Sequence, residues 1–347
     1  NGGCPSARAA PAQSVCGTDL LQLLRLFCPD FPLELVVDAC KLCGDSKGSF
    51  PLEELLPYID WNPFFQVWQL RGKYPNRGYP KIFNDETVGE EAKKLHADGE
   101  ALIADIIKNK TLKARAVVGI WPANAVGDDI EVYAADGSGA VRGVLHTLRQ
   151  QEEREDDHYL ALSDFVATKE SGVKDYVGGF AVSCGFGCEE VCSKLRAEGD
   201  DYQGIMMEAV ADRLAEAFAE LLHHKMRKEL WGYAPDEALS ADDMLKVKYQ
   251  GIRPAPGYPT QPDHTEKAFL WELLDAEKAT GITMTDSFAM MPAASVSAVI
   301  FANPCSTYFQ VGKVCKDQIT DYASRKGMSM EEAERWMGPY LAYDPAA

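Results

Sequence analysis

The chain has 347 residues, enough for one large domain or two of ordinary size. Its 53 acidic residues outnumber its 35 basic ones, which gives a formal net charge of −18. This charge argues against a nucleic acid or an anionic membrane surface as the main partner, because both bind stripes of Lys and Arg. A hydrophobic fraction of 46% is ordinary for a globular protein, and no apolar run approaches the ~20 residues of a membrane-spanning helix.

The N-terminal segment, residues 1–49, is rich in Pro, Gly, Ala and Cys and is predicted to be an irregular extension. It begins at Asn1 without an initiator Met, so we expect a piece of a longer protein. No basic start of a signal peptide is visible, and a cytoplasmic location is expected. Cys40 and Cys43 form a CxxC pair, but no second pair and no His pair follows at the spacing of a zinc site. We therefore expect free thiols in a reducing compartment.

Residues 50–347 are predicted to form one domain. In the first half, the apolar periodicity predicts a helix at 85–108 and then strands at 114–121, 129–134, 141–148, 159–166 and 176–183. Helices at 202–231, 241–248 and 266–280 follow, and then strands at 282–302 and 307–314. The tail at 316–341 is predicted to form two helices separated by a turn at Gly327. Asp136-Gly137-Ser138-Gly139 is a hairpin signal. Since strands come in hairpins and helices in groups, the fold class is α+β with a central antiparallel sheet flanked by helices.

The short motifs do not form a self-contained catalytic set, and we predict neither a catalytic residue nor a metal ligand. His223 and His224, near the end of the long predicted helix, are expected to interact with the dipole at its C-terminus. Cys184, Cys188 and Cys192 recur at i, i+4 and i+8, on one face of a helix. That spacing would suit a soft metal, but small buried thiols are the favoured interpretation.

The most informative stretch is the proline-rich loop from Gly251 to Lys267. Its prolines fix the backbone around Arg253, and Gly257 permits the close approach of another group. A rigid loop that holds an Arg suits a carboxylate or a phosphate, because the guanidinium offers two parallel N–H donors. The alternative is a connector whose Arg is a solvated surface residue, with Asp263 or Thr265 capping the next helix.

At this loop the sequence resembles a known family, the C-terminal activation domain of cobalamin-dependent methionine synthase. The matching stretches occur in the family's order from about residue 51 onwards. They are YIDWNPFF from Tyr58, WQLRGKYP from Trp68, GIWPAN from Gly119, LRQQ from Leu148, DRLAEAFAE from Asp212, the loop from Arg253 to Lys267, and YFQVG from Tyr308.

The resemblance implies a C-shaped α+β domain that binds S-adenosylmethionine as methyl donor. In this family the methyl group and an electron from flavodoxin or a diflavin methionine synthase reductase return inactive cob(II)alamin to methylcobalamin. The residues that correspond to the family's ligand site are Asp60, Glu216, Arg253, Ala255, Tyr258, Tyr308 and Phe309. The cobalamin motif DxHxxG is absent from the whole chain, so the cobalamin-binding domain is expected to be a partner and this chain alone is not expected to complete the reaction.

The residue types suit this ligand. Arg253 can bind the carboxylate of its methionyl end, while Asp60 and Glu216 can accept from the ammonium and offset the sulfonium charge. Tyr258, Tyr308 or Phe309 could pack on the adenosine. Alternatives stay open: periodicity places Glu216 in a solvated stripe with Asp212 and Glu220, Asp60 could cap a short helix, and one of the neighbours Tyr308 and Phe309 should face the core.

The preferred interpretation is the reactivation module of a methionine synthase. Flavodoxins are acidic, so docking one on this acidic chain requires a local basic patch, for which Arg71, Lys73, Arg77 and Lys81 are candidates; the alternative is a solvated face. A second class is a stand-alone regulatory protein that binds S-adenosylmethionine without cobalamin chemistry. A third is a structural domain whose ligand site has decayed.

Overall fold

The structure, a computed structural model, describes residues 48–134, 137–151 and 158–345, together with the backbone of 35–38. Most of the predicted extension, including Cys40 and Cys43, lies outside the described residues. The α+β class with a central antiparallel sheet is confirmed. In the described ranges, no helix combines the length and the apolar character needed to span a membrane.

Strands and α-helices follow one another in small groups along the described ranges. The strands are β1 (Leu35–Asp38), β2 (Lys113–Val126), β3 (Asp129–Tyr133), β4 (Val141–His146), β5 (Asp175–Phe186), β6 (Thr283–Met284), β7 (Met290–Met291) and β8 (Ser295–Ile300). The α-helices are α1 (Asn62–Val67), α2 (Gly89–Asn109), α3 (Cys188–Ala197), α4 (Asp201–Lys225), α5 (Ala241–Leu245), α6 (Glu266–Leu274), α7 (Ala276–Thr280), α8 (Lys316–Lys326) and α9 (Met330–Met337). A π-helical turn, Met226–Leu230, continues α4.

The main sheet has the strand order β4-β3-β2-β5-β8, and every neighbouring pair is antiparallel. β1 pairs with residues 117–120 of β2, so part of the N-terminal segment joins the sheet. β3 and β4 form the predicted hairpin, although Asp136 of its turn lies outside the described residues. β8 ends the order, and the candidate functional site lies at this end of the sheet.

Helices cover both faces of the sheet, which explains why β2 and β5 are buried along most of their length. On one face, the core packs α4 against β5 through Leu214, Phe218 and Phe180. On the other face, α6 packs against the sheet through Leu270 and Trp121. The predicted apolar stripe of the long helix is thus confirmed as core.

Two predicted strands are wrong. Residues 159–166 contain the 3-10 helix Leu162–Phe165, in which Asp164 accepts hydrogen bonds from the backbone N–H of Ala161 and from Arg149. Residues 307–314 form no ladder in the structure; they run as an irregular segment with one isolated bridge at Val314. In both places, side chains from elsewhere in the chain form the hydrogen bonds with backbone groups that a neighbouring strand would otherwise form. The apolar, β-branched composition therefore does not indicate a strand here.

Two further elements are interrupted. The helix predicted at 266–280 breaks into α6 and α7 at Asp275, whose φ of 47° lies in the left-handed region. The strand predicted at 282–302 divides into β6, β7 and β8. The tail follows the prediction: α8 ends at Gly327, whose φ is 67°, and α9 follows.

The three regularly spaced cysteines do not share a helical face. Cys184 lies in β5, whereas Cys188 and Cys192 lie in α3 with their Sγ atoms 3.8 Å apart. All three are buried and free, and burial raises the pKa of the Cys184 and Cys188 thiols. Over the described ranges no group of three or more His, Cys, Asp or Glu residues is placed to hold a metal ion. The burial of the three cysteines agrees with their packing as small apolar side chains.

Candidate functional site

A cavity of about 450 Å³ lies beside β8, where α4, the proline-rich loop and the segment after β8 meet. Six of the seven predicted site residues line it: Glu216, Arg253, Ala255, Tyr258, Tyr308 and Phe309. Phe180, Val296 and Ala298 add apolar surface from β5 and β8. The cavity therefore combines a cation, an anion, aromatic rings and an apolar wall within the size range of small-molecule sites.

Backbone hydrogen bonds to the end of β8 position Arg253. Ile252 and Phe301 exchange two of them, of 3.0 and 2.9 Å, and the N–H of Val299 donates to the carbonyl of Pro254 at 3.0 Å. The loop thus begins as a short continuation of the sheet edge. Because this pairing fixes the residues on both sides of Arg253, the direction of its side chain is set by the fold.

The Arg253 side chain is only 17% exposed, so the interpretation as a solvated connector residue is wrong. Its Nη2 forms a salt bridge with Glu220, and its Nη1 donates to Nδ1 of His223 at 3.0 Å. Burial alone would lower the pKa of Arg253, but the neighbouring Glu220 carboxylate raises it above the usual arginine value. Arg253 is therefore a permanent cation in the wall of the cavity.

The middle of the loop is a tight turn around Gly257. Its φ is 95°, and its N–H donates to the carbonyl of Gln261 at 2.7 Å. A Cβ atom at this position would lie 2.2 Å from the His264 ring, so only glycine fits there, as predicted from the sequence. The turn leaves Tyr258 64% exposed at the mouth of the cavity.

The irregular segment after β8 is held to the loop by hydrogen bonds. The Tyr308 hydroxyl accepts from the N–H of Arg253 at 2.9 Å, and the Thr260 hydroxyl donates to the carbonyl of Phe309 at 2.6 Å. Gln150, from the LRQQ motif, donates to the carbonyl of Gln310 at 2.7 Å. These contacts place both aromatic side chains at the cavity, with Tyr308 exposed and Phe309 half-buried.

Helix α4 presents polar side chains to the loop, and the sequence pattern did not reveal that two of them are buried there. Glu216, Glu220 and His223 are spaced by three or four residues and so share one face. Asp212 and Glu216 are exposed, as predicted for a solvated stripe, and Glu216 lines the cavity. Glu220 is buried, so the prediction is wrong for that residue, and His223 is buried as well. His223 was predicted to interact with the dipole at the C-terminus of this helix. Its ring instead contacts the side chains of Arg253 and Tyr233.

Asp60 is the predicted site residue that does not line this cavity in the described chain. Its Oδ1 accepts from the N–H and from the side-chain amide of Asn62, at 2.9 and 2.7 Å. This is the local turn at the start of α1 that a short Asp or Asn side chain commonly makes. Its assignment to the ligand site stays a prediction.

The far end of the loop is fixed by a buried ionic cluster. Lys326, in the last turn of α8, contacts the carboxylates of both Asp263 and Glu266, whose side chains are 2% exposed. The hydroxyl of Tyr322 donates to Asp263 at 2.7 Å, and Asp263 also accepts from the N–H of Thr265 at 2.8 Å. Asp263 thus forms the turn that leads into α6 and also anchors α8. The predicted cap is wrong, because Thr265 precedes α6 and no side chain caps the helix.

A second cavity, of about 620 Å³, lies at the segment that follows α1. Three of its lining residues are the exposed basic side chains Arg71, Lys73 and Arg77. Lys81, the fourth residue of the predicted basic patch, is also exposed. The patch therefore surrounds a concave surface instead of a flat one.

Comparisons with known proteins agree with this architecture. A family model described as the activation domain of vitamin B12 dependent methionine synthase matches residues 51–327. The chain is also similar to a solved structure, that of the MetH reactivation domain bound to AdoHcy, with 48% sequence identity and a TM-score of 0.82. That similarity covers 90% of this chain and 91% of the other. Since the family model spans well over half of its length, the chain belongs to the family of activation domains of vitamin B12-dependent methionine synthase.

Proposed function

We propose that this domain binds S-adenosylmethionine in the cavity beside β8 and presents it for the reductive methylation of cob(II)alamin held by another domain. One electron, from flavodoxin or a diflavin reductase, and the methyl group convert cob(II)alamin to methylcobalamin and leave S-adenosylhomocysteine. Methionine synthase is a methyltransferase, and the related reactivation domain binds AdoHcy, the form of the donor that has lost its methyl group. That product and its parent methyl donor share every recognition group except the methyl and its sulfonium charge.

The observation that carries the proposal is the convergence of Arg253, Glu216 and the two exposed tyrosines on one cavity. Arg253 offers charge-assisted N–H donors to the ligand carboxylate, and Glu216 offers an acceptor to a cationic group. Tyr258 and Tyr308 provide rings that can pack on the adenosine. Because both rings are exposed, they also form part of the surface that a corrinoid-bearing domain would approach.

A reductive-methylation assay tests the function directly. The chain, a cob(II)alamin-loaded cobalamin domain, a reductant and S-adenosylmethionine are combined, and methylcobalamin is followed by absorbance. We expect methylcobalamin to form only when all four are present. Saturable S-adenosylmethionine binding without methylation would favour the stand-alone regulatory protein. A calorimetric titration without binding would identify a domain that has lost its ligand site.

The basic patch of Arg71, Lys73, Arg77 and Lys81 is proposed to dock the acidic flavoprotein. Opposite charges speed association and strengthen it most at low salt. The double substitution Arg71→Glu and Lys73→Glu should therefore weaken flavodoxin binding about tenfold at low ionic strength, an effect of about 1.4 kcal/mol. Surface plasmon resonance at two salt concentrations measures it.

The control for this patch carries the same change of charge elsewhere. Lys278 and Arg335 have side chains 84% and 68% exposed and belong to other parts of the surface. The pair Lys278→Glu and Arg335→Glu should leave flavodoxin binding nearly unchanged. Equal weakening by both double variants would mean that only net charge matters, and the patch would lose its role.

A further inference from the structure

Two side chains behind Arg253 determine how its guanidinium is held. Glu220 and His223 contact it from helix α4, and neither is among the residues that line the cavity. The Glu220 and His223 side chains are buried, whereas Arg253 reaches the cavity wall. Arg253 is therefore in contact with α4 on one side and with the cavity on the other.

The hydrogen bonds of His223 with Arg253 and Tyr233 determine which of its ring nitrogens carries the proton. A guanidinium only donates, so Nδ1 of His223 must be the acceptor of the 3.0 Å contact from Nη1. The imidazole proton then lies on Nε2, which can donate to the hydroxyl of Tyr233 at 3.2 Å. Burial first, and the nearby charges of Arg253 and Arg227 second, lower the pKa of His223 well below its usual value, so that the ring stays neutral.

The arrangement orients the guanidinium without using all of its donors. A guanidinium has five N–H groups, and the contacts to Glu220 and His223 use one on each Nη atom. A neutral imidazole holds the group in place without adding a competing charge. The ring of Tyr249, 5.8 Å from the guanidinium carbon, restricts it from another side.

We infer that His223 and Glu220 are positioning residues that set the selectivity of the site for a ligand carboxylate, by holding the guanidinium of Arg253 in the orientation that a carboxylate requires. The inference rests on the proposed function and names what two buried residues contribute to it. A bidentate Arg–carboxylate pair depends strongly on the plane and direction of the guanidinium. Removing a support should therefore weaken carboxylate recognition while the remaining contacts to the ligand persist.

The test compares two ligands that differ only in this group: S-adenosylmethionine and its decarboxylated analogue. Calorimetry with the full chain gives the ratio of their Kd values for the wild type, for His223→Leu and for His223→Asn. Asn places an amide oxygen where Nδ1 of His accepts, whereas Leu has no acceptor. We expect His223→Leu to lower the preference for S-adenosylmethionine about tenfold, which matches the loss of one hydrogen bond to a charged group, and His223→Asn to restore most of it.

Glu220→Gln provides a second variant that keeps an acceptor and the shape of the side chain. It should lower the same ratio by a smaller factor, about threefold, because the amide still accepts from Nη2 without its charge. Variants that weaken both ligands equally, or neither, would overturn the positioning role. A wild-type chain that binds both ligands equally would overturn it too and leave S-adenosylmethionine binding intact. If the wild type binds neither ligand, the proposed function itself fails, and this inference with it.

Discussion

Replacing Arg253 with Ala should remove most S-adenosylmethionine binding. The substitution deletes the permanent cation from the cavity wall and leaves the buried Glu220 carboxylate without its salt bridge. For the proposed pair between Arg253 and the ligand carboxylate, truncation of one partner typically costs ~2–5 kcal/mol of binding free energy. This corresponds to a roughly thirtyfold or larger increase in the Kd for S-adenosylmethionine. Titration calorimetry measures the affinity, and a thermal unfolding curve of the ligand-free variant reports any loss of stability.

The matched control for Arg253 is Arg335→Ala. Arg335 is also an arginine near a glutamate, 3.8 Å from Glu332, but its side chain is 68% exposed and does not line the cavity. Its substitution should change neither affinity nor stability measurably, because exposed ion pairs contribute about 0–1 kcal/mol. If Arg253→Ala retains wild-type affinity in a folded protein, the cavity beside β8 is not the site that recognises the ligand carboxylate.

Replacing Lys326 with Met should cause the largest loss of stability. Lys326 is the cation shared by Asp263 and Glu266, and both carboxylates are almost completely buried. Without it, two like charges remain in a medium of low polarity, and breaking a buried ion pair in this way costs about 3–5 kcal/mol. Urea unfolding at neutral pH should show a clear decrease of the midpoint with an unchanged slope.

Lys278→Met controls for the loss of a lysine ion pair as such. Lys278 lies 3.0 Å from Asp275, but its side chain is 84% exposed, so the variant should lose no more than about 1 kcal/mol. Adding Asp263→Asn and Glu266→Gln to Lys326→Met should recover part of the stability, because the uncompensated charges are removed. Equal midpoints for Lys326→Met and Lys278→Met would contradict the ionic role of the cluster.

The sheet and the long helix could be predicted because their information is local. Leu214, Phe218 and Leu221 follow the helical repeat of α4, and all three are core residues of the fold. The apolar stretches of β2 and β5 are buried on both faces, so an unbroken run of hydrophobic residues identified them. The glycine at position 257 was predictable as well, since a close approach leaves room for no other residue.

The remaining features depend on partners that are distant in sequence. Residues 307–314 have the composition of a strand, but the carbonyls of Phe309 and Gln310 are bonded by the side chains of Thr260 and Gln150. Glu220 has the periodicity of a solvated residue, and only the fold brings Arg253 to it. Periodicity reports which way a side chain points, and it contains no information on what lies there. Family resemblance supplied the predicted site residues, whereas the buried contacts of Arg253 with Glu220 and His223 were found only in the structure.

The loop between Arg253 and Asp263 is attached at its two ends to different helices, α4 through Glu220 and α8 through Lys326. The Arg253 end is also fixed by its backbone hydrogen bonds to the end of β8, whereas the Asp263 end depends on Lys326 in the last turn of α8. Transient fraying of α8 would therefore loosen the Asp263 end of the loop first. The shape of the cavity mouth, where Tyr258 lies, would then depend on the stability of the last turn of α8. Mutations in the C-terminal helices, none of whose residues line the cavity, would then act on it through the contact between Lys326 and Asp263.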